Sequence, residues 1–315
     1  MNKNILFDLV LVIVSVIMLW KGADWLVDSA AEIAHSFKVS DLIIGLTVVA
    51  FGTSAPEFAV TISAAFTNQT DISIGNVIGS NIFNLGFILG GTAIIRPISV
   101  SKKLFYRDGF FLLTTTALIF FLFFGFNGWD KSDSYSVNEG ILLFSLLIGY
   151  IIFLFIKKDP PEEVNPSEAT KKSYFFFLIG LFLIVLGGDL MVKHASNVAR
   201  YVGISDWVIA VTIVAAGTSA PEFATSISAA IKGRHGIAIG NLIGSDLFNL
   251  LGVLGLAGII NSSSIGEDIY GSTFVLVLMV GLTLAMMRYK WKIGRIEGAI
   301  LVSINLIRWW FDLSA

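Results

Sequence analysis

Two glutamates, Glu57 and Glu222, stand directly behind prolines in an otherwise apolar chain. They lie in the same octet, Gly52-Thr53-Ser54-Ala55-Pro56-Glu57-Phe58-Ala59 and Gly217-Thr218-Ser219-Ala220-Pro221-Glu222-Phe223-Ala224. A charged carboxylate at the centre of a membrane helix costs roughly 2.5 kcal/mol or more, so a glutamate in such a place points to function. The prolines add to the chemistry. Each ring clashes with the carbonyl four residues back and brings no N–H, so Pro56 pushes off the carbonyl of Gly52 and Pro221 that of Gly217. A broken helix with loosened carbonyls and hydroxyls beside a carboxylate offers the ligands of a hard cation.

The elements that must position these motifs are membrane helices. The 315 residues are 55% hydrophobic and 14% charged, with a mean hydropathy of +0.82, against about 25% charged in soluble domains. Windows of about 20 apolar residues predict ten spans, near 5–36, 41–66, 72–95, 104–126, 138–156, 174–201, 205–231, 236–260, 269–287 and 296–312. The first apolar run carries Asp8, has only Lys3 ahead of it and continues to about Phe37, which favours a first membrane helix over a signal peptide. The first and sixth spans are long and carry charge, Lys21, Asp24, Asp28 and Glu32 in one and Asp189 and Lys193 in the other, as expected of tilted helices at the edge of a bundle. Residues 157–173 form the one extended polar linker, a flexible hinge between residues 1–156 and 174–315. A net charge of −2 and a pI near 5.9 exclude a nucleic-acid partner. The absence of cysteine excludes disulfides and thiolate chemistry, and the scattered His35, His194 and His235 form no zinc motif.

Internal similarity decides the predicted architecture. A shift of 165 aligns residues 22–95 with 187–260 without a gap, placing Asp24 on Asp189, Glu57 on Glu222, Gly75-Asn76 on Gly240-Asn241 and Ile78-Gly79-Ser80 on Ile243-Gly244-Ser245. Five spans separate equivalent points. Because five is odd, equivalent helices cross in opposite directions, so the expected fold is an all-α integral membrane protein of ten transmembrane helices in two inverted five-helix repeats. Loop charge agrees: Lys38, Arg96, Lys102, Lys103, Arg107, Lys157, Lys158, Lys171, Lys172, Lys232, Arg234, Arg288, Lys290, Lys292 and Arg295 fall in one set of alternate loops. The positive-inside rule then puts both termini outside and the hinge in the cytoplasm.

Positions four apart share a helix face. Thr53 is expected to point with Glu57, and Thr218 with Glu222; Asn76, Ser80 and Asn84 form one polar face, and Asn241, Ser245 and Asn249 its counterpart. Joined about a two-fold axis, these supply two carboxylates, hydroxyls, amide oxygens and loosened carbonyls. An all-oxygen set suits Ca²⁺ and Na⁺ and does not suit zinc or copper. Two glutamates carry −2, which one Ca²⁺ neutralises and three Na⁺ would overbalance by one. Either load lowers the cost of carrying buried carboxylates across the bilayer, so the loaded site reorients and the empty one does not, which is the behaviour of an exchanger.

The two Gly-Thr-Ser-Ala-Pro-Glu segments, followed by Gly75-Asn76-Val77-Ile78-Gly79-Ser80-Asn81-Ile82-Phe83-Asn84 and Gly240-Asn241-Leu242-Ile243-Gly244-Ser245-Asp246-Leu247-Phe248-Asn249, resemble the paired alpha-repeats of the sodium/calcium exchanger family, in its prokaryotic branch. The resemblance covers essentially the whole chain. It implies alternating access by sliding of the first and sixth helices, with Ca²⁺ held by Glu57, Glu222 and backbone oxygens of Thr53 and Thr218. It implies Na⁺ subsites at Ser54, Ser80, Ser219, Ser245 and the carbonyls of Ala50 and Ala215, with Asn84 and Asn249 as the central polar pair. The expected partners are Ca²⁺, Na⁺ and the bilayer of a cell membrane, with no cofactor, no enzymatic activity and a monomer as the working unit. Two residues depart from the family pattern. Some relatives, potassium-dependent ones included, carry aspartate where this chain has Asn249, which implies potassium independence. Asp246 stands where asparagine is usual, as an extra ligand, an entrance charge or a satisfied helix acid.

Plainer readings stand beside these. Ser and Gly in membrane helices also serve helix-to-helix hydrogen bonds and close packing. Asp24, Asp28 and Asp189 read as solvated or snorkelling faces, and Trp129, Trp291, Trp309 and Trp310 as interface anchors. A proton/calcium exchanger would carry a glutamate soon after the Gly-Asn pair, and Val77 to Asn84 contains none. A passive cation channel could also use oxygen ligands, but inverted halves favour alternating access. An intramembrane protease would need a serine with histidine, or two aspartates.

Overall fold

The computed structural model describes residues 3–124, 134–157, 169–204, 215–265 and 267–314. These residues form helices α1 (Lys3–Ser36), α2 (Asp41–Thr53 and Ala55–Phe66), α3 (Thr70–Ile95), α4 (Leu104–Phe124), α5 (Val137–Lys157) and α6 (Lys171–Tyr201). Helices α7 (Ala215–Thr218 and Ala220–Ile231), α8 (His235–Ile260), α9 (Glu267–Arg288) and α10 (Arg295–Ser314) follow. The predicted span beginning at 205 lies outside the described residues as far as 214, as do Trp129 and most of the hinge. Among the described residues seven helices are long and apolar enough to cross a membrane, and the bent α2 pair makes an eighth. The described part of α7 is short, and α10 carries Arg295, Glu297, Arg308 and Asp312 within twenty residues.

Lipid is as apolar as leucine, so packing between membrane helices rests on close contact where small residues let backbones approach. Three glycine pairs do this here. A Cβ added at Gly22 of α1 would lie 2.8 Å from the Gly180 carbonyl of α6, one at Gly90 of α3 2.8 Å from the Gly298 carbonyl of α10, and one at Gly140 of α5 2.6 Å from the Gly255 carbonyl of α8. Helix α1 and helix α6, both long as the sequence predicts, run along each other. Their outer faces expose Leu6, Phe7, Ile13, Ile17 and Trp20 on one and Phe175, Leu178 and Phe182 on the other.

On α1, Lys21 and Asp28 are exposed as expected of a solvated face, whereas Asp24 is half-buried. Lys232, just past α7, reaches Asp24 at 3.2 Å and Asp28 at 2.9 Å, and Ser228 donates to Asp24. Asp189 is exposed, as a surface acid should be. Trp309 packs on Phe83 and Phe87 of α3, so it is partly bundle core; Trp310 is exposed.

Two features carry no periodic signature. Short strands tie loops together, β1 (Ile98–Ser99) with β4 (Lys292–Ile293) and β2 (Ser134–Tyr135) with β3 (Ser263–Ser264), both antiparallel. The helices also widen into π turns at Gly45–Val49, Asn84–Leu89, Leu104–Gly109 and Phe248–Val253. Such turns concentrate at functional sites, and two of the four begin at or beside Asn84 and Asn249.

Candidate cation site

The break in α2 falls at Ser54, two residues ahead of the proline, and the halves meet at 52°. Pro56 occupies the first turn of the second half, where a missing N–H leaves nothing unsatisfied. The same pattern stands in α7, with Ser219 at the break and Pro221 opening the second half. Each glutamate therefore sits in the first turn of a half-helix, where the helix dipole favours an anion. The carbonyl of Ala50 accepts from the Ser54 N–H at 3.0 Å and from the Thr53 hydroxyl at 3.3 Å.

The halves meet through a reciprocal exchange. Ser54 Oγ donates to Glu222 Oε1 at 2.8 Å, and Ser219 Oγ donates to Glu57 Oε1 at 2.8 Å. Each serine of one motif thus holds the carboxylate of the other, and the two acids come together although 165 residues separate them. Glu57 is 1% exposed and Glu222 fully buried. The second oxygen of each, Oε2, has no hydrogen-bond partner.

Asparagines hold the backbone behind each acid. Asn76 Nδ2 donates to the Glu57 carbonyl at 3.3 Å and to Thr61 Oγ1 at 2.9 Å; Asn241 Nδ2 donates to the Glu222 carbonyl at 3.4 Å and to Ser226 Oγ at 3.1 Å. Thr61 and Ser226 are partners that sequence reasoning missed, although the 165-residue register aligns them. Thr53 turns across the interface, donating to Asn241 Oδ1 at 3.0 Å and lying 3.5 Å from Ser245 Oγ. It therefore meets the polar face of the opposite half besides standing one turn from its own glutamate. Ser80 and Ser245 are buried on the α3 and α8 faces.

Asn84 and Asn249 are both buried, but each bonds to a residue other than its counterpart. Asn84 Nδ2 donates to Asp246 Oδ1 at 3.0 Å, and Asn249 Nδ2 donates to Asn81 Oδ1 at 3.4 Å. Asn81 Nδ2 reaches the Asp246 carbonyl at 3.4 Å. The centre is thus a group of four, and Asp246 belongs to it. Among the described residues no three acid or imidazole side chains form a chelating group of the transition-metal kind. What the arrangement offers is buried oxygen, which binds hard cations.

A model of the sodium/calcium exchanger protein family matches residues 7–156 and 172–311. The chain belongs to the sodium/calcium exchanger family. It is 36% identical over 310 residues to the protein CaxA of Alkalimonas amylolytica, a match covering 93% of this chain and 94% of that one. It is 32% identical over 338 residues to the sodium/calcium exchanger MaX1 of Methanosarcina acetivorans, covering 94% and 95% respectively. Among solved structures, the sodium-calcium exchanger NCX_Mj soaked with Na⁺ and without Ca²⁺ superposes with a TM-score of 0.84 at 32% identity, over 96% of this chain and 98% of that one. MaX1 and NCX_Mj are sodium/calcium exchangers by name, and this family member, with several helices long and apolar enough to span a bilayer, is a multi-pass membrane protein.

Proposed function

We propose that the chain is a secondary active antiporter that exchanges Ca²⁺ for Na⁺ by alternating access, electrogenically and without K⁺. One observation carries this reading. Two buried carboxylates are each fastened through one oxygen to a serine of the opposite motif, and each keeps its other oxygen free of any donor. Buried anions are costly unless something positive meets them, and among these oxygens a cation is the complement.

In this reading Ca²⁺ sits between Glu57 and Glu222 with backbone oxygens of Thr53 and Thr218. Na⁺ uses Ser54, Ser80, Ser219 and Ser245 with the carbonyls of Ala50 and Ala215, while Asn84 and Asn249 line the centre. Both ions are cargo, the protein makes and breaks no covalent bond, and the monomer is the working unit. Residues 1–156 and 174–315 act as inverted five-helix halves, joined by a cytoplasmic hinge at 157–173, with both termini outside. The closely packed α1 and α6 slide as a pair against the rest, opening the site first to one side and then to the other. The loop orientation is testable because the chain has no cysteine of its own: a membrane-impermeant maleimide should label Lys3→Cys from outside intact cells and leave Lys158→Cys unlabelled.

The deciding experiment is ⁴⁵Ca²⁺ uptake into liposomes holding an imposed Na⁺, K⁺ or H⁺ gradient, one at a time. Uptake should follow the Na⁺ gradient alone. Uptake without any counter-ion would mean a channel, and uptake driven by H⁺ alone a proton exchanger.

A further inference from the structure

Helix α10 supplies none of the site residues named so far, yet one of its side chains reaches into the middle of α3. Asn305 is buried, and its Nδ2 donates to the Ile82 carbonyl at 2.9 Å, between Asn81 and Asn84 of the α3 polar face. The reach depends on Gly86, where an added Cβ would meet Asn305 Cγ at 2.6 Å and Cβ at 2.9 Å. The other side of the bundle shows the same packing without the amide. Gly140 of α5 packs on Gly255 of α8 as Gly298 of α10 packs on Gly90 of α3, and two turns further along each helix Leu147 faces Gly252 where Asn305 faces Gly86. Leucine has no donor to give.

The difference appears in the backbone. The residue ahead of a helical stretch supplies its first acceptor carbonyl, and in a π turn that carbonyl bonds to the N–H five residues on. For the α8 turn, Phe248–Val253, the residue ahead is Leu247; for the α3 turn, Asn84–Leu89, it is Phe83. Leu247 corresponds to Ile82 in the 165-residue register, so α3 widens one residue later than α8 and passes over the carbonyl that Asn305 holds. A donor from another helix competes for that carbonyl with the N–H five residues on, and so delays the turn. Asn84 thus stands first in its turn and Asn249 second in its own. We infer that Asn305 is a positioning residue of the cation site: by holding the Ile82 carbonyl it fixes where α3 widens, and with that how Asn84 is aimed relative to Ser80 and Asn81, without itself meeting an ion. The inference rests on the antiport reading, in which the α3 face serves Na⁺ and the centre while Ca²⁺ is held from α2 and α7, so loss of the bond falls on Na⁺.

The test compares Na⁺ and Ca²⁺ responses in variants of the full-length protein. Asn305→Leu gives α10 the side chain that α5 carries at Leu147, a packing the fold already accepts, so the variant should melt near the wild-type temperature. The half-saturating Na⁺ concentration, read from Na⁺-driven ⁴⁵Ca²⁺ uptake into liposomes and from equilibrium ²²Na⁺ binding in detergent, should rise about three- to tenfold, the range of one neutral hydrogen bond. The half-saturating Ca²⁺ concentration of Ca²⁺/Ca²⁺ self-exchange should stay within about twofold, as for an independent site. Gly86→Ala should push the amide off the carbonyl and raise the Na⁺ value as well. Gly86→Ala combined with Asn305→Ala removes the collision but not the loss of the bond, so it should fold and keep the raised Na⁺ value. A double variant that folds and returns to the wild-type Na⁺ value would reduce Asn305 to packing and overturn the inference. Equal shifts for Na⁺ and Ca²⁺ in folded Asn305→Leu, or no shift in either, would overturn it too. Absence of Na⁺-driven uptake in the wild-type protein would instead overturn the antiport reading, and the ²²Na⁺ binding series would still decide the role of Asn305.

Discussion

Replacing Glu57 by glutamine isolates the charge from the shape. The amide fills the same volume, and its oxygen can still accept from Ser219 Oγ in place of the 2.8 Å bond to the carboxylate. What changes lies at Oε2, an acceptor without a partner in the parent protein, which becomes an NH₂ group aimed at the space a cation would occupy. At a ligand distance of about 2.4 Å and an effective dielectric of about 20, the gross attraction between a divalent ion and one carboxylate is about 14 kcal/mol. Desolvation of the ion and the acid offsets most of this; breaking one partner of a buried charge set leaves a net loss of about 3–5 kcal/mol. That corresponds to a weakening of Ca²⁺ binding of about 10²- to 4 × 10³-fold. The assay is ⁴⁵Ca²⁺ uptake against an outward Na⁺ gradient, beside a thermal melt showing that the variant folds. Glu222→Gln should behave alike, because Ser54 holds it in the same manner. A half-saturating Ca²⁺ concentration within about threefold of wild type in either folded variant, against the 10²-fold expected from the lost charge, would refute the two-acid site.

Other outcomes follow from the same geometry. Protons compete with the cation for the carboxylate oxygens, so uptake should fall as the pH is lowered through the ordinary glutamate range, and a profile still flat at about pH 3, well below the usual glutamate value of about 4.3, would count against a carboxylate site. Asn249→Asp adds a charge at a residue bonded to Asn81 and should change which monovalent cations support exchange; identical ion dependence would show that Asn249 is remote from the ions. Gly180→Ala would place a Cβ 2.7 Å from the Leu26 nitrogen and 2.8 Å from the Gly22 carbonyl, where ordinary contact begins at 3.4 Å. Helix α1 must then shift, at a cost of about 1–3 kcal/mol, and both the melting temperature and the exchange rate should drop; a variant with wild-type values of both would mean that α1 and α6 are not so closely packed.

The two octets, the 165-residue repeat and the apolar windows were enough to place a pair of acids at the centre of a helical membrane protein, because each is a local pattern with a direct physical cause. The helix break was legible too, since proline cannot continue a helix. Its position at Ser54 and Ser219 was less so: proline is at home in a first turn, and the break moves ahead of it. The serine–glutamate exchange between halves depends on how α2 and α7 cross, which no spacing within one segment encodes. The same holds for Asp246. From the chain it was one acid among several possible roles; only the approach of α3 to α8 puts Asn84 and Asn81 against it and leaves its second oxygen without a donor. Residue types and their period follow from local sterics and hydropathy, whereas the pairing of oxygens into a site is decided by which helices meet.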